Sequence, residues 1–250
     1  MTKLDITLAT EDDIDQILPL LEEEYDADEG VGFYGNRNMI ARGAGEDLWV
    51  ARQDGQLAGF LLGKHSPDIL WIVPAYRGRN IGTALFATSL QRAFDDNVNA
   101  MDIECTPPTS YGFWAKQGFI RYGPSEPWDP IHARRVLDRA LTMPDGLEPT
   151  PVSLSFFPEK VLYGEVAPAT SVTEVAGGKD RDGVIWLPHR VLALSAGGGE
   201  GDLVVKIQVD GKELYFGKAK YDKPKALGVV HDWRGSTFYL DKILPDGADQ

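Results

Sequence analysis

The segment Trp71-Ile-Val-Pro-Ala-Tyr-Arg-Gly-Arg-Asn-Ile-Gly-Thr-Ala-Leu85 constrains this chain more than any other. A short apolar run enters a turn rich in glycine and arginine, and the turn opens directly into a helix signal. Phe86, Leu90, Ala93 and Phe94 continue that signal at i, i+4, i+7 and i+8, which is one apolar stripe. The first backbone N–H groups of a helix have no partner within it, and the helix dipole adds positive character at the same end. A turn of this kind therefore suits a phosphate. Arg77 and Arg79 offer charge-assisted donors beside it.

A second signal follows at a fixed distance. Ala100-Met-Asp-Ile-Glu-Cys105 reads as a strand and leads to Phe113-Trp-Ala-Lys-Gln-Gly-Phe119. Arg77-Gly-Arg-Asn-Ile-Gly82 resembles the Arg/Gln-x-x-Gly-x-Gly/Ala acyl-coenzyme A loop of the GNAT superfamily of N-acyltransferases, and Phe113–Phe119 is similar to that family's Phe-Tyr-x-x-x-Gly-Phe segment. The resemblance covers roughly residues 3–143. It implies an α/β (α+β) fold, a mixed and splayed β-sheet flanked by helices, with acetyl-CoA or another acyl-CoA as co-substrate. The turn Arg77, Gly78, Arg79, Asn80, Ile81, Gly82 and Thr83 would hold the coenzyme's diphosphate. Leu70, Ile72 and Val73 would supply the strand edge for the pantetheine arm, with a backbone N–H near Ile72 polarising the thioester carbonyl. Asn80 stands where the family has its first glycine, and asparagine accepts positive φ better than most residues.

Acyl transfer to an amine also needs a route for protons. Trp114 replaces the family's tyrosine, and an indole N–H is no acid near neutral pH; Pro107 stands where the family often has an asparagine. Tyr111 lies three residues before Trp114, one helical turn away, and is the candidate donor, the alternative being an ordinary half-buried aromatic. Glu104 and Asp68 lie on expected central strands near the splay and are candidate bases; as strand charges they also fit a solvent-facing role. The acidic run Glu22, Glu23, Glu24, Asp26, Asp28 and Glu29 falls where the family's acceptor-binding segment lies. It would favour a cationic amine, or simply be a solvated helix end.

Composition sets the outer bounds. The chain has 250 residues with a net charge of −13, which opposes generic binding to nucleic acid. One cysteine, Cys105, excludes an internal disulfide and fits a reducing compartment, where a buried structural thiol is expected. Four scattered histidines show no metal-binding spacing. No apolar run reaches the roughly 20 residues that span a bilayer, and no apolar signal core opens the sequence, so a cytoplasmic protein is expected. Residues 1–150 hold 13 Lys+Arg against 24 Asp+Glu, and residues 151–250 hold 12 against 14, an asymmetry that fits two modules.

Along the chain, Leu4–Leu8 reads as a strand, Thr10 with Asp13 as a capping box, and Ile14, Ile17, Leu18 and Leu21 as a helix face that Pro19 should kink or shorten. Leu48–Ala51 and Leu57–Leu62 flank a hairpin turn at Gln53-Asp-Gly, and Asp68–Val73 feeds the anion turn. Ile120–Gly123 reads as a strand, and Arg135–Leu141 as the sheet's last strand or a short helix. The expected domains are 1–143, a breaker-rich linker 144–151, and a small all-β module 152–250, barrel or sandwich. In that module Val152–Phe157, Val161–Val166, Gly183–Leu187, Val191–Leu194, Leu203–Val209, Lys212–Lys218 and Thr237–Leu240 read as strands, with Asp210-Gly211 as a hairpin turn. Lys206, Lys212, Lys218, Lys220, Lys223 and Lys225, interleaved with Tyr215, Phe216 and Tyr221, could meet single-stranded nucleic acid or form an ordinary sheet surface.

The sequence thus points to an N-acyltransferase that moves an acyl group from coenzyme A to a primary amine by direct attack. The amine would belong to a small molecule or a protein; no membrane or metal is involved, and the C-terminal module would serve a homo-oligomer or larger assembly. The alternative is a catalytically silent GNAT-like fold acting as a binding or assembly module, within a viral or other large complex.

Overall fold

The computed structural model describes residues 3–27, 32–121, 130–193, 202–232 and 237–245. The described residues up to Arg121, with 130–135, form one compact unit, and those from Val136 onward form a second. The division falls at 135/136, ahead of the expected 143. Asp28 and Glu29 of the acidic run, Tyr122 and Gly123 of the strand expected after Phe119, and Leu194 lie outside the described residues.

The first unit opens with β1 (Leu4–Leu8) and α1 (Glu11–Ala27). Asp13, buried, accepts hydrogen bonds from the Thr10 backbone N–H and hydroxyl, both at 2.8 Å, and pairs with Arg52. Ile14, Ile17 and Leu21 are buried on one face, as their spacing predicts. Pro19 does not break α1: the residue whose carbonyl loses its partner is Asp15, which like Pro19 is exposed, so water can serve it. A short α2 (Arg37–Arg42) precedes β2 (Leu48–Gln53), β3 (Gln56–Leu62) and β4 (Ile69–Ile72). The turn between β2 and β3 has positive φ at Asp54 (51°) and Gly55 (83°), the geometry that matches strand twist in a two-residue hairpin.

β1-β2-β3-β4 make one antiparallel sheet in that order, with β4 at its edge. After α3 (Ile81–Asp95) comes β5 (Ala100–Cys105), then α4 (Tyr111–Lys116), β6 (Ile120–Arg121) and β7 (Ile131–Val136). β5-β7-β6 form a separate sheet, so β4 and β5 are not bonded to each other and the splay expected from the family resemblance is present. The last strand of this unit is Ile131–Val136, earlier than the expected Arg135–Leu141. The buried face of α3 carries Ile81, Leu85, Phe86, Ser89 and Ala93. It is rotated from the expected stripe, leaving Leu90 and Phe94 only half-buried.

The second unit is a single seven-stranded antiparallel sheet. Its strands are β8 (Glu148–Phe157), β9 (Ser171–Lys179), β10 (Ile185–Ala193), β11 (Val204–Val209), β12 (Lys212–Lys218), β13 (Val230–Asp232) and β14 (Thr237–Ile243), in spatial order β12-β11-β8-β9-β10-β14-β13. The sheet curls around one core to which β8, β9, β10, β11 and β14 all contribute. It is neither a closed barrel nor a sandwich of two sheets. β8 begins at Glu148, inside the stretch read as linker. Val161–Val166 is not a strand: Glu159–Tyr163 is a 3-10 turn and Val166 is fully exposed. A short α5 (Asp222–Ala226) also falls where no helix was expected.

Candidate functional site

Antiparallel pairing decides which backbone groups β4 offers. Val73 donates its N–H to the Ala58 carbonyl at 3.0 Å, so Ala58/Val73 is a hydrogen-bonded pair. The neighbouring pair Gly59/Ile72 must then be the non-bonded type, because the two alternate along an antiparallel ladder. The N–H and C=O of Ile72 consequently point away from β3, across the sheet's free edge; those of Leu70, two residues back, do the same. Gly59 admits this tight approach, since a Cβ there would come within 2.5 Å of the Trp71 carbonyl oxygen.

Beyond β4 the chain turns through Pro74–Tyr76 and reaches Gly78, whose φ of 77° lies in the left-handed region that favours glycine. Asn80 also takes the left-handed conformation, φ 63° and ψ 12°, and caps α3 with no side-chain hydrogen bond. Among the described residues no partner stands at the N–H groups of Ile81, Gly82 and Thr83; the first backbone bond of the helix runs from Ala84 to the Asn80 carbonyl at 3.1 Å. The terminus is therefore uncapped by the protein's own groups, which leaves room for an anion.

These groups open on a cleft of about 640 Å³. One wall is Leu70, Trp71 and Ile72 of β4; the floor is Tyr76–Gly78 and Asn80–Thr83; the far wall is Pro107, Thr109, Ser110, Phe113 and Trp114. Glu24 and Phe33 close the remaining side. Gly82 faces the cleft with space to spare: an added Cβ would lie 3.5 Å from the Phe113 ring and 3.6 Å from Leu70, ordinary contact distances. The protein's own packing does not require glycine there, which fits an occupant that does.

The cleft lining includes Ile72, Arg77, Gly78, Asn80, Ile81, Gly82, Thr83 and Trp114 from the residues that sequence assigned to coenzyme. Val73 and Arg79 are not part of it. Val73 has its amide committed to Ala58, and the Arg79 guanidinium lies over the Tyr76 ring at 5.1 Å. Arg77 lines the cleft with two of its three nitrogens engaged: Nε binds the Ile72 carbonyl at 3.0 Å and Nη2 binds Glu24 at 2.8 Å. Trp114 is buried, edge-on to Phe86 (5.7 Å), Phe113 (4.9 Å) and Phe119 (5.5 Å), so its role is first to build the wall.

The three proton-transfer candidates lie elsewhere. Tyr111 is half-buried at the start of α4, Glu104 is exposed and accepts a bond from Thr106 at 3.1 Å, and Asp68 precedes β4; none lines the cleft. The Asp68 carboxyl reaches solvent, yet displaced water and, after it, the Asp47 carboxylate raise its pKa. Cys105 is buried and its thiol pushed up by that burial, with the Ser110 hydroxyl opposing. Nothing in its surroundings activates it as a nucleophile. Glu24, from the acidic run that the sequence offers as an acceptor-binding segment, lines the cleft. Its Oε2 accepts the Trp71 indole N–H at 2.6 Å while Oε1 holds Arg77.

Among the described residues no group of three or more His, Cys, Asp or Glu is placed to hold a metal, and no helix is long and apolar enough to cross a membrane. In the second unit four of the six lysines of the strip are paired with carboxylates. Lys218 sits between Glu159 (2.5 Å) and Asp202 (3.0 Å), hydrogen bonds that push its pKa up. Lys220 pairs with Asp202, Lys206 with Glu213 and Lys225 with Asp222.

Residues 14–119 match the family described as Acetyltransferase (GNAT) family, and the first unit carries a GNAT acetyltransferase domain. No curated protein matches the chain. Solved structures with a similar fold include the PaiA N-acetyltransferase of Thermoplasma acidophilum in complex with coenzyme A, at 12% identity and TM-score 0.42 over 54% of this chain and 99% of that one. Ard1 from Thermoplasma volcanium aligns at 17% identity and TM-score 0.44 over 54% and 97% of the two chains. N-acetylglutamate synthase from Neisseria gonorrhoeae, complexed with coenzyme A and N-acetyl-glutamate, aligns at 14% and 0.41 over 55% and 36%.

Proposed function

We propose that this protein binds an acyl-coenzyme A in the cleft and transfers the acyl group to a primary amine. The observation that carries the reading is the uncapped start of α3, where the Ile81, Gly82 and Thr83 amides meet the cleft without a partner. Those amides would hold the diphosphate. The outward N–H of Ile72 would polarise the thioester carbonyl, and that of Leu70 would pair with the pantetheine amide. The amine nitrogen then attacks the carbonyl carbon directly, the carbon–sulfur bond breaks, and the amine's proton passes to solvent or to the departing thiolate. No covalent enzyme intermediate is invoked, since Cys105 is buried and does not line the cleft.

Acetyl-CoA should raise the melting temperature by mass action, by roughly 2.7 kcal/mol of added stability at 100 times Kd. Thiol release in the presence of a panel of amines should then follow. A saturating coenzyme that leaves the melting temperature unmoved would falsify the reading. A second reading, a silent fold that binds coenzyme without turning it over, draws support from the placement of Tyr111, Glu104 and Asp68 outside the cleft lining. Coenzyme binding without thiol release across the panel would favour it.

A further inference from the structure

Of the described acidic residues near the end of α1, Glu24 is the one that lines the cleft; Glu22 is taken by the Tyr34 hydroxyl at 2.8 Å, and Glu23 and Asp26 are exposed. Both of its oxygens are engaged by the strand and turn that also form the anion site. The buried Trp71 indole fixes Oε2 at 2.6 Å, and Arg77 holds Oε1 at 2.8 Å. Glu24 and Arg77 therefore satisfy each other within one cleft, although the first is suited to a cation and the second to an anion. While they are paired, Arg77 Nη2 and Glu24 Oε1 are held by each other rather than by a ligand.

We propose that the Glu24–Arg77 pair is an electrostatic latch that couples the coenzyme and acceptor subsites of this cleft. The inference rests on the acyl-coenzyme A reading above. A diphosphate at the start of α3 lies three residues along the same turn from Arg77 and competes for its Nη2. When Arg77 moves to the diphosphate, Oε1 of Glu24 is left facing the cleft, and the indole bond at Oε2 keeps the carboxylate from swinging out. A carboxylate held there calls for a positive charge, so the acceptor carries a cationic amine besides the neutral nitrogen that attacks, and it binds better once coenzyme is in place. By linkage the reverse is also true: the amine improves coenzyme binding by the same factor.

The sign of one measurement separates this from a simpler role. If Glu24 only orients Arg77 toward the diphosphate, removing its charge weakens coenzyme binding; a latch predicts the opposite. Calorimetric titration of coenzyme A into the full chain should show Glu24→Gln binding about two- to fivefold tighter than wild type, the scale of a partly exposed ion pair. Glutamine still accepts the Trp71 bond, and an unchanged melting temperature checks that the fold is kept. In an Arg77→Met background the same substitution should change nothing. Weaker or equal binding by Glu24→Gln overturns the latch, as does equal tightening without Arg77, which would mark a general charge effect. With 1,4-diaminobutane as probe, coenzyme A should tighten binding in wild type and not in Glu24→Gln; a wild-type diamine affinity indifferent to coenzyme also overturns it. Wild-type protein that does not bind coenzyme A at all removes the underlying reading, a failure distinct from these.

Discussion

The Val73 amide bonds to Ala58 at 3.0 Å, and this fixes the direction of the Ile72 amide next to it. Because bonded and non-bonded pairs alternate, Ile72 must face away from β3, over the open edge of β4. Its carbonyl is found where this requires, accepting Arg77 Nε at 3.0 Å. One sheet register thus sets both the backbone donor on the cleft and the anchor of the turn beneath it.

Gly82 should separate stability from binding. A methyl group there meets Phe113 and Leu70 at ordinary contact distance, and alanine is the better helix former. Gly82→Ala is expected to keep or raise stability, by about 0.5 kcal/mol in urea unfolding. The same methyl intrudes on the coenzyme, and calorimetry should show affinity reduced about tenfold, the scale of modest overpacking. Wild-type affinity in this variant would mean that the coenzyme does not pass over Gly82.

Asn80 should tolerate glycine and reject valine. Its φ of 63° lies in the left-handed region, which costs a β-branched residue about 1–2 kcal/mol. Asn80→Gly should retain coenzyme binding within about twofold, because no side-chain bond from Asn80 caps α3. Asn80→Val should lower stability by that amount and weaken coenzyme binding as the first amides turn aside. Equal binding by the two variants would show that the amides of this turn do not make the site.

The parts legible in the sequence were those set by neighbouring residues. Asp54-Gly55 and Asp210-Gly211 announce their hairpins because positive φ at two successive positions is a local demand, and both turns have it. The anion turn is legible for the same reason. Glu24 was legible only as one member of an acidic run; its pairing with Trp71 and Arg77 was not, since they lie 47 and 53 residues away. β9 was missed because Gly177-Gly178 reads as a turn. There the glycines answer to packing instead: a Cβ would come within 2.8 Å of Ile185 at one and 2.6 Å of Leu147 at the other. β10 was read as two strands because Pro188 interrupts it, and the sheet absorbs that proline in a register shift between Trp186 and Val191. The stripe of α3 was misplaced because Ser89 is buried although polar, while Leu90 turns partly outward.

Tyr111→Phe tests whether the sequence's candidate proton donor takes part in chemistry. A positioned general acid typically contributes 10²–10⁴-fold. Tyr111 does not line the cleft, so its hydroxyl should be dispensable, with thiol release from acetyl-CoA and an accepted amine within about twofold of wild type. A loss of about a hundredfold, with coenzyme affinity unchanged, would return Tyr111 to the catalytic set.

Asp13 gives the first unit an acid-sensitive element. Burial alone would raise its pKa, but the Thr10 backbone N–H, the Arg52 guanidinium and the Thr10 hydroxyl together hold it below the usual carboxylate range. A group whose folded pKa is depressed adds stability that is fully present above its unfolded value, about 3.9, and is lost as pH falls through the folded one. Asp13→Asn should therefore cost about 2–4 kcal/mol at pH 7, because Arg52 loses its buried counter-charge and the amide offers one acceptor oxygen where the carboxylate offers two. The gap between the two proteins should close progressively below about pH 4. Urea unfolding at a series of pH values measures both. A gap that stays constant down to the acid limit would show that the carboxylate's charge is not what stabilises the start of α1.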